Sequence, residues 1–230
     1  MSEDEKIVRR QMLAHYAAAM IGGFWGGYTI FNYLDIFANA QTGNLIKLVL
    51  DLCEGDFTFI WFMALSFLVY CGGNVFYVLV RRKVRLSMKI VSMICSAAAV
   101  VAIGVIALAR GGVIACFPIM FVAPIQWNAF KIAGGNSSST IFSSNNVRQA
   151  AILTTNYVLS RDKSTGGKAR FYWLTLLSFH IGVALAGCTS LFAGVHSIWF
   201  CFVPIALTVC AYYYYISEKL RVASLVNAGK

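Results

Sequence analysis

Two polar stretches interrupt otherwise apolar segments of this sequence, and they hold most of the side chains that could bind a solute. The first carries Thr42, Gly43 and Asn44 within the segment 36–54. Gly43 permits a turn and a close approach of the backbone, and Thr42 or Asn44 could cap a short helix that begins there. The free N–H groups at such a helix start attract anions and electronegative atoms. The alternative is an ordinary polar turn at the surface.

The second polar stretch has the same place in the later part of the chain. It leads into a helical pattern over 141–159 that carries Asn146, Arg148 and Gln149 near its start. An arginine within a membrane is energetically costly and is therefore a candidate for a functional site; the alternative is that Arg148 snorkels to the interface. We predict that the two stretches line one polar cavity that binds an anionic or oxygen-rich solute.

Gln126 and Asn128 follow Pro124 in an apolar segment. A buried polar pair beside a proline kink is typical of a cavity lining, and we predict that both residues border the solute site. A hydrogen bond between two helices is the alternative.

Asp35 and His180 are the candidates for coupling solute movement to a proton. Asp35 is the one acidic residue predicted near the membrane interior, and Lys47 could instead neutralise it in a structural ion pair. His180 lies in the middle of an apolar segment, where a proton role competes with a hydrogen-bonded packing role.

The composition predicts a membrane protein. The 230 residues are 59% hydrophobic and 12% charged, whereas soluble domains have about 45–50% apolar and about 25% charged residues. The net charge of +10 comes from short runs between apolar segments, which is typical of cytoplasmic flanks rather than of nucleic-acid binding. The seven cysteines stand singly without metal-ligand spacing. We expect no metal, no cofactor and no enzymatic activity.

The distribution of Lys and Arg predicts the topology. Six segments are long enough to span the hydrocarbon core, at about 20 residues each. If 36–54 and 141–159 do not cross completely, the main cationic clusters all lie on one side, which is the positive-inside pattern with both termini in the cytoplasm. The six predicted spans are 13–34, 57–80, 87–109, 112–131, 170–193 and 195–217.

A repeat predicts that the chain has two related halves, 1–110 and 111–230. The run from Trp61 to Phe67 recurs from Trp173 to Phe179, and Ile36-Phe37 recurs as Ile141-Phe142. Three spans in each half require the second half to be inserted upside down. The predicted fold is therefore an all-α polytopic membrane protein, with six transmembrane helices in a 3+3 inverted repeat and two short broken or re-entrant helices, as in secondary transporters and some channels.

Small residues in the first span predict close helix packing. Ala18, Gly22 and Gly26 recur every four residues, with Gly23 and Gly27 beside the last two. Such a face packs either within the subunit or across a dimer. Given the small size of the chain, we expect a homodimer in contact with membrane lipid.

The same residues carry a resemblance to a known family. The glycine-rich first span leading to Thr42-Gly43-Asn44, with a degenerate second copy from Gln126-Trp127-Asn128 to Thr154-Thr155-Asn156, resembles the YoaK-like family of bacterial membrane proteins, which is largely of unknown function. The resemblance implies an inner-membrane protein of about six spans and a presumed transporter. Asn146-Val147-Arg148 replaces a glycine turn in the second copy.

These observations together favour a transporter for a small polar or anionic solute. A passive channel of the same architecture is the first alternative, and a membrane assembly protein that moves nothing is the second. The sequence does not identify the solute.

Overall fold

The computed structural model describes residues 2–33, 36–109 and 112–228, and for 226–228 it describes the backbone. Helices form nearly all of this part of the chain. Two of the helices follow directly on 3₁₀ segments, which span Gly112–Cys116 and Gly194–Cys201. A two-stranded hairpin pairs β1 (Ile132–Ala133) with β2 (Asn136–Ser137). The helices are α1 Glu3–Asn32, α2 Thr42–Glu54, α3 Ile60–Lys83, α4 Met88–Leu108, α5 Phe117–Phe130, α6 Ser144–Ser160, α7 Lys163–Ala193 and α8 Phe202–Ala228.

The helices pack in two corresponding sets. α1 lies against α7 and α8, while α5 lies against α3 and α4. The short helix α2 packs on α3, and the short helix α6 packs on α7. The repeated Trp-to-Phe run falls in α3 in one half and in α7 in the other. The long helix that carries the Trp-to-Phe run in one half therefore packs against the first helix of the other half. α3 packs against α5, and α7 packs against α1.

Four helical stretches of the described chain are long and apolar enough to cross a membrane, and they indicate a membrane protein. They are Ile60–Lys83, Met88–Leu108, Gly112–Phe130 and Lys163–Leu225. The last is 63 residues long and contains α7, a 3₁₀ segment and α8. α1 has 30 residues but is not one of the four. The all-α prediction is confirmed, whereas the six-span arrangement remains a prediction.

The glycines of α1 are in contact with other parts of the same chain. A Cβ at Gly22 would collide with the backbone oxygen of Thr140, and one at Gly23 with the backbone oxygen of Phe179 on α7. The use of these glycines within the subunit is a correction to our argument for a homodimer, because this face is not free for a second copy. The homodimer stays a prediction without support from the glycines.

The two ends of the chain meet at one end of the bundle. Arg10 on α1 forms an ion pair of 2.7 Å with the buried Glu218 on α8. The hydroxyl of Tyr212 on α8 donates a hydrogen bond of 2.8 Å to Ser87 before α4. Arg170, near the start of α7, lines a cleft with Arg9 of α1. We call this region the cationic end.

Candidate solute site

The two polar stretches meet beside the middle of α1. The side-chain amide of Asn39 donates one hydrogen bond to the carbonyl of Gly22, at 2.6 Å, and another to the carbonyl of Ile141, at 2.9 Å. Phe37 packs against Gly26, where a Cβ would lie 2.7 Å from the Phe37 ring. The glycines of α1 thus let two irregular backbone segments approach the same helix. We call the contact between residues 36–41 and 138–143 the central junction.

A small polar cluster holds the start of α2. Gln41 precedes the helix, and its Oε1 accepts hydrogen bonds from Asn44 Nδ2 at 3.3 Å and from Ser66 Oγ at 3.1 Å. All three side chains are at least nine-tenths buried. Because Ser66 belongs to α3, this cluster fixes the position of the first polar stretch against a long helix of the same half.

A second cluster holds the start of α6. Asn146 Oδ1 accepts from Ser138 Oγ at 2.9 Å, and Asn146 Nδ2 donates to the carbonyl of Ser139 at 2.7 Å. His15 on α1 extends the cluster, with Nε2 lying 3.2 Å from Ser138 Oγ and Nδ1 lying 2.9 Å from the carbonyl of Phe130. This cluster therefore anchors the second polar stretch to the first helix of the other half.

Gln126 bridges α1 and the second polar stretch. Its Nε2 donates to the carbonyl of Ala18 at 2.8 Å and to Thr140 Oγ1 at 3.3 Å. The side chain is 1% exposed. Gln126 thus lies at the border of the central junction.

Several buried polar atoms at the junction have no hydrogen-bond partner among the described residues. Three of these atoms belong to the polar stretches and one to Gln126 beside them, while a fifth buried atom without a partner, on Trp25 of α1, lies beside Cys201 rather than at the junction. A buried polar atom without a partner is energetically unfavourable, and it marks a place where water or a ligand can bind. The atoms are Asn39 Oδ1, Gln41 Nε2, Ser143 Oγ, Trp25 Nε1 and Gln126 Oε1.

The helix starts at the junction also lack side-chain caps. Within the described chain, no side chain accepts a hydrogen bond from the first turn of α2 or of α6. By contrast, Ser2, Ser87 and Asp162 cap α1, α4 and α7, whose starts lie at the cationic end. Uncapped N–H groups carry the positive pole of the helix dipole. The junction therefore presents two such poles.

Two cavities adjoin the central junction. One, of about 440 Å³, lies between Phe37 and Phe142 and is also lined by Gly26, Ser143 and Ser144. The two phenylalanines are the equivalent residues of the repeat.

The other cavity, of about 430 Å³, is lined by Phe37, Asn44, Lys47 and Asp56. Hydrogen bonds from Thr58 lower the pKa of the Asp56 carboxyl, which is therefore ionised at neutral pH. Phe37 belongs to the walls of both cavities.

The residues predicted around Gly43 differ in their placement. Asn44 is buried, while Thr42 and Gly43 are exposed. The expectation of a close backbone approach at Gly43 is wrong, because an added Cβ would meet nothing within 4 Å. Gly43 lies inside the first turn of α2 rather than in a tight turn before it.

The residues predicted around Arg148 are also divided. Asn146 is buried in the second cluster, Gln149 is half-buried, and Arg148 is exposed. Arg148 donates a hydrogen bond of 3.2 Å to Asn145 Oδ1 on the same turn. No described contact brings the guanidinium to the junction.

The remaining candidates lie apart from the junction or outside the described chain. Asn128 Nδ2 donates to Asn74 Oδ1 on α3 at 3.0 Å. This is a hydrogen bond between two helices, the alternative to a cavity lining. His180 is exposed, with Nδ1 lying 2.8 Å from the carbonyl of Leu176 on its own helix. Asp35 falls outside the described residues. Lys47 forms an ion pair of 2.8 Å with the buried Asp51.

Sequence reasoning missed four residues of the junction clusters. Asn39 lies two residues after the repeated Ile36-Phe37 pair, and Ser66 lies within the repeated Trp-to-Phe run. Gln41 directly precedes the Thr-Gly-Asn element. For His15 there was no local signal, because its partners are more than 100 residues away.

The described residues contain no group of three or more His, Cys, Asp or Glu side chains that could hold a metal ion. The donors and acceptors at the junction are neutral amides, hydroxyls and backbone groups. This set can hydrogen-bond a polar solute, and His15 is the ionisable side chain that joins its second cluster.

The fold and the junction define an all-α protein with apolar, membrane-type helices and a buried polar contact between its halves. The chain belongs to a family described as proteins of unknown function, DUF1275, whose model matches residues 14–211. Searches of curated proteins and of solved structures gave no match.

Proposed function

We propose that the protein is a transporter that passes a small anionic or oxygen-rich solute through the central junction. The observation that carries the proposal is the set of buried polar atoms at the central junction that have no partner among the described residues, in the stretches that precede the uncapped starts of α2 and α6. A protein that used this contact only for packing would gain stability from apolar residues or from complete hydrogen bonding. A solute that alternately occupies and leaves the site accounts for the incomplete bonding.

The chemistry of the junction supports a solute with acceptor atoms. Uncapped helix starts favour negative charge, and Gln41 Nε2 and Ser143 Oγ can each donate a further hydrogen bond. Arg148 contributes positive charge on the exposed side of α6 and is expected to attract the solute rather than to bind it. The solute should fit between Phe37 and Phe142, in the cavity of about 440 Å³.

The proposed path requires an inverted arrangement in the bacterial inner membrane, with both termini and the cationic end in the cytoplasm. The one-sided Lys and Arg clusters support this orientation. Single cysteines at positions 83 and 56, in a variant without native cysteines, test it with an impermeant thiol reagent. We expect labelling of position 56 from outside and of position 83 only after permeabilisation. External labelling of position 83 would contradict the topology.

Flux into proteoliposomes tests the function directly. Purified protein should take up chloride, nitrate or formate faster than empty vesicles do, with saturation for at least one of these probes. Asn146→Ala removes a buried residue of the second cluster, and we expect flux to fall about tenfold. Asn145→Ala, on the adjacent half-buried position, is the matched control and should transport normally.

The same measurement separates the alternatives. A passive channel of this architecture would conduct without saturation and without a coupling ion. A membrane assembly protein would give no flux with any probe. Equal flux from the Asn145 and Asn146 variants would place the site elsewhere.

A further inference from the structure

An apolar groove lies between α4 and α8, away from the central junction. Its volume is about 570 Å³, which is within the range of small-molecule and lipid pockets. It follows α8 from Ile205 to Ile216, a length of about 16 Å at 1.5 Å per residue. Its walls are Ile90, Met93, Ile94, Ala97, Ile205, Val209, Tyr212, Tyr213 and Ile216.

A lysine stands at the cationic end of this groove. Lys89 directly precedes the wall residue Ile90, and its Nζ lies 5.5 Å from the ring centre of Phe130 and 5.5 Å from that of Tyr215. The ring of Tyr212, itself a wall residue, is 5.9 Å away. Aromatic rings stabilise a cation through their faces and hold it in place.

Lys89 has no acidic partner in the described part of the chain. No described carboxylate lies within ion-pair distance of its Nζ, and Glu218 on α8 is already paired with Arg10 and Arg221. The Ser87 hydroxyl caps α4 by accepting a hydrogen bond from the backbone N–H of Lys89, so the ammonium of Lys89 is the group to which an anion would bind. Its nearest described ring neighbours are Phe130, Tyr212 and Tyr215, which carry no negative charge.

We propose that the groove binds an anionic phospholipid, with one acyl chain along α4 and α8 and the phosphate beside Lys89. The charge of the site and the apolar character of the groove match the two ends of such a lipid. The clustered cations of the α3–α4 connection, Arg81, Arg82, Lys83 and Arg85, add to the attraction for an anionic leaflet. This proposal is independent of the proposed solute path.

Native mass spectrometry of the delipidated protein in mild detergent tests the site. We expect phosphatidylglycerol to bind in preference to phosphatidylcholine with the same acyl chains. Lys89→Gln should weaken phosphatidylglycerol binding about fivefold, while Lys89→Arg retains it. Lys168→Gln is the matched control, since it removes an exposed lysine from the start of α7, and should bind normally.

A second variant tests the acyl chain. Ala97→Phe fills the groove without changing charge and should also weaken phosphatidylglycerol binding, with a folded protein verified by its thermal unfolding. Glycerol phosphate, which has the headgroup chemistry without the chains, should not compete. Equal losses in the Lys89 and Lys168 glutamine variants, equal binding of the two lipids, or competition by glycerol phosphate would overturn the proposal. So would a lipid-free dimer that Ala97→Phe converts to a monomer.

Discussion

Asp162 and Ser143 occupy the same place before two consecutive helices, but they act differently. The carboxylate of Asp162 accepts hydrogen bonds from the backbone N–H groups of Ser164 and Thr165 and so caps α7. Ser143 precedes α6, and its hydroxyl has no partner among the described residues. The first backbone N–H groups of the helices that begin at the cationic end are therefore capped by side chains of the chain itself. Those of α2 and α6, which begin at the central junction, have no side-chain cap among the described residues and can bind a solute or water. Four predictions test this contrast.

The largest effect should come from the backbone contact that holds the junction together. Gly22→Ala places a methyl group against the carbonyl of Thr140, and neither backbone can move without disturbing the other. We expect a loss of about 3 kcal/mol in stability, measured as a lower thermal unfolding midpoint in detergent. Gly43→Ala is the control: its Cβ meets open space, and the gain in helix propensity is about 1 kcal/mol. Equal destabilisation by both changes would contradict the close approach.

Closing an open helix start should strongly slow transport without unfolding the protein. Ser143→Asp supplies the missing cap to α6 and places a negative charge at the junction, which competes with an anionic solute. We expect flux of chloride, nitrate or formate to fall about tenfold while the unfolding midpoint holds or rises. Ser164→Asp adds the same charge to the capped start of α7 and should leave flux unchanged. Normal flux in the Ser143 variant would show that this helix start is not part of the path.

Removing an existing cap should lower the stability of the protein and leave transport intact. Asp162→Ala leaves two backbone N–H groups of α7 without a partner in the chain, so the unfolding midpoint should fall by a few degrees while flux persists. The hydrogen bonds from Thr165 and Ser164 lower the pKa of Asp162. The cap is therefore fully present above the ordinary aspartate pKa and is lost as the pH falls through the lowered value. If the unfolding midpoint of Asp162→Ala fell with pH as much as that of the unmodified protein in that range, the result would contradict the cap.

The smallest effect is expected at Arg148. Because its side chain is exposed and bonded to Asn145, Arg148→Gln should weaken the apparent solute affinity about twofold to threefold through lost attraction, and high salt should remove the difference. Arg148→Lys keeps the charge and should transport normally. Complete loss of flux in the glutamine variant would instead place the guanidinium in the site.

The sequence predicted the positions of the helices better than it predicted which side chains lie at the junction. Polar interruptions of apolar segments located both α2 and α6, since a helix in lipid cannot tolerate such residues without partners. Arg148 was predicted to line the cavity because a charge within an apolar region is energetically costly, whereas its side chain is exposed in the structure. The helical period of 3.6 already separates it from Asn146 and Ala150, which are four residues apart and both buried. That period was the better signal.

The contacts that build the junction could not be read from the sequence. Asn39 and Ile141 are 102 residues apart, and His15 and Ser138 are 123 apart. Nothing local distinguishes a glycine that meets another helix from one that meets a second subunit. The sequence therefore identified the glycines of α1 as a close-packing face, and the structure shows that Gly22 and Gly23 use it within the subunit.

The packing of α1 sets an order on synthesis. α1 is synthesised before α2 to α6, yet it packs against α7 and α8, which follow them. At about 5–20 residues per second, the wait from the end of α1 to the end of α7 is on the order of 10–30 s. During that time Gly23, whose neighbour Phe179 belongs to α7, faces lipid or an insertion factor instead of its final neighbour. The nascent chain is therefore most exposed to membrane proteases before α7 arrives.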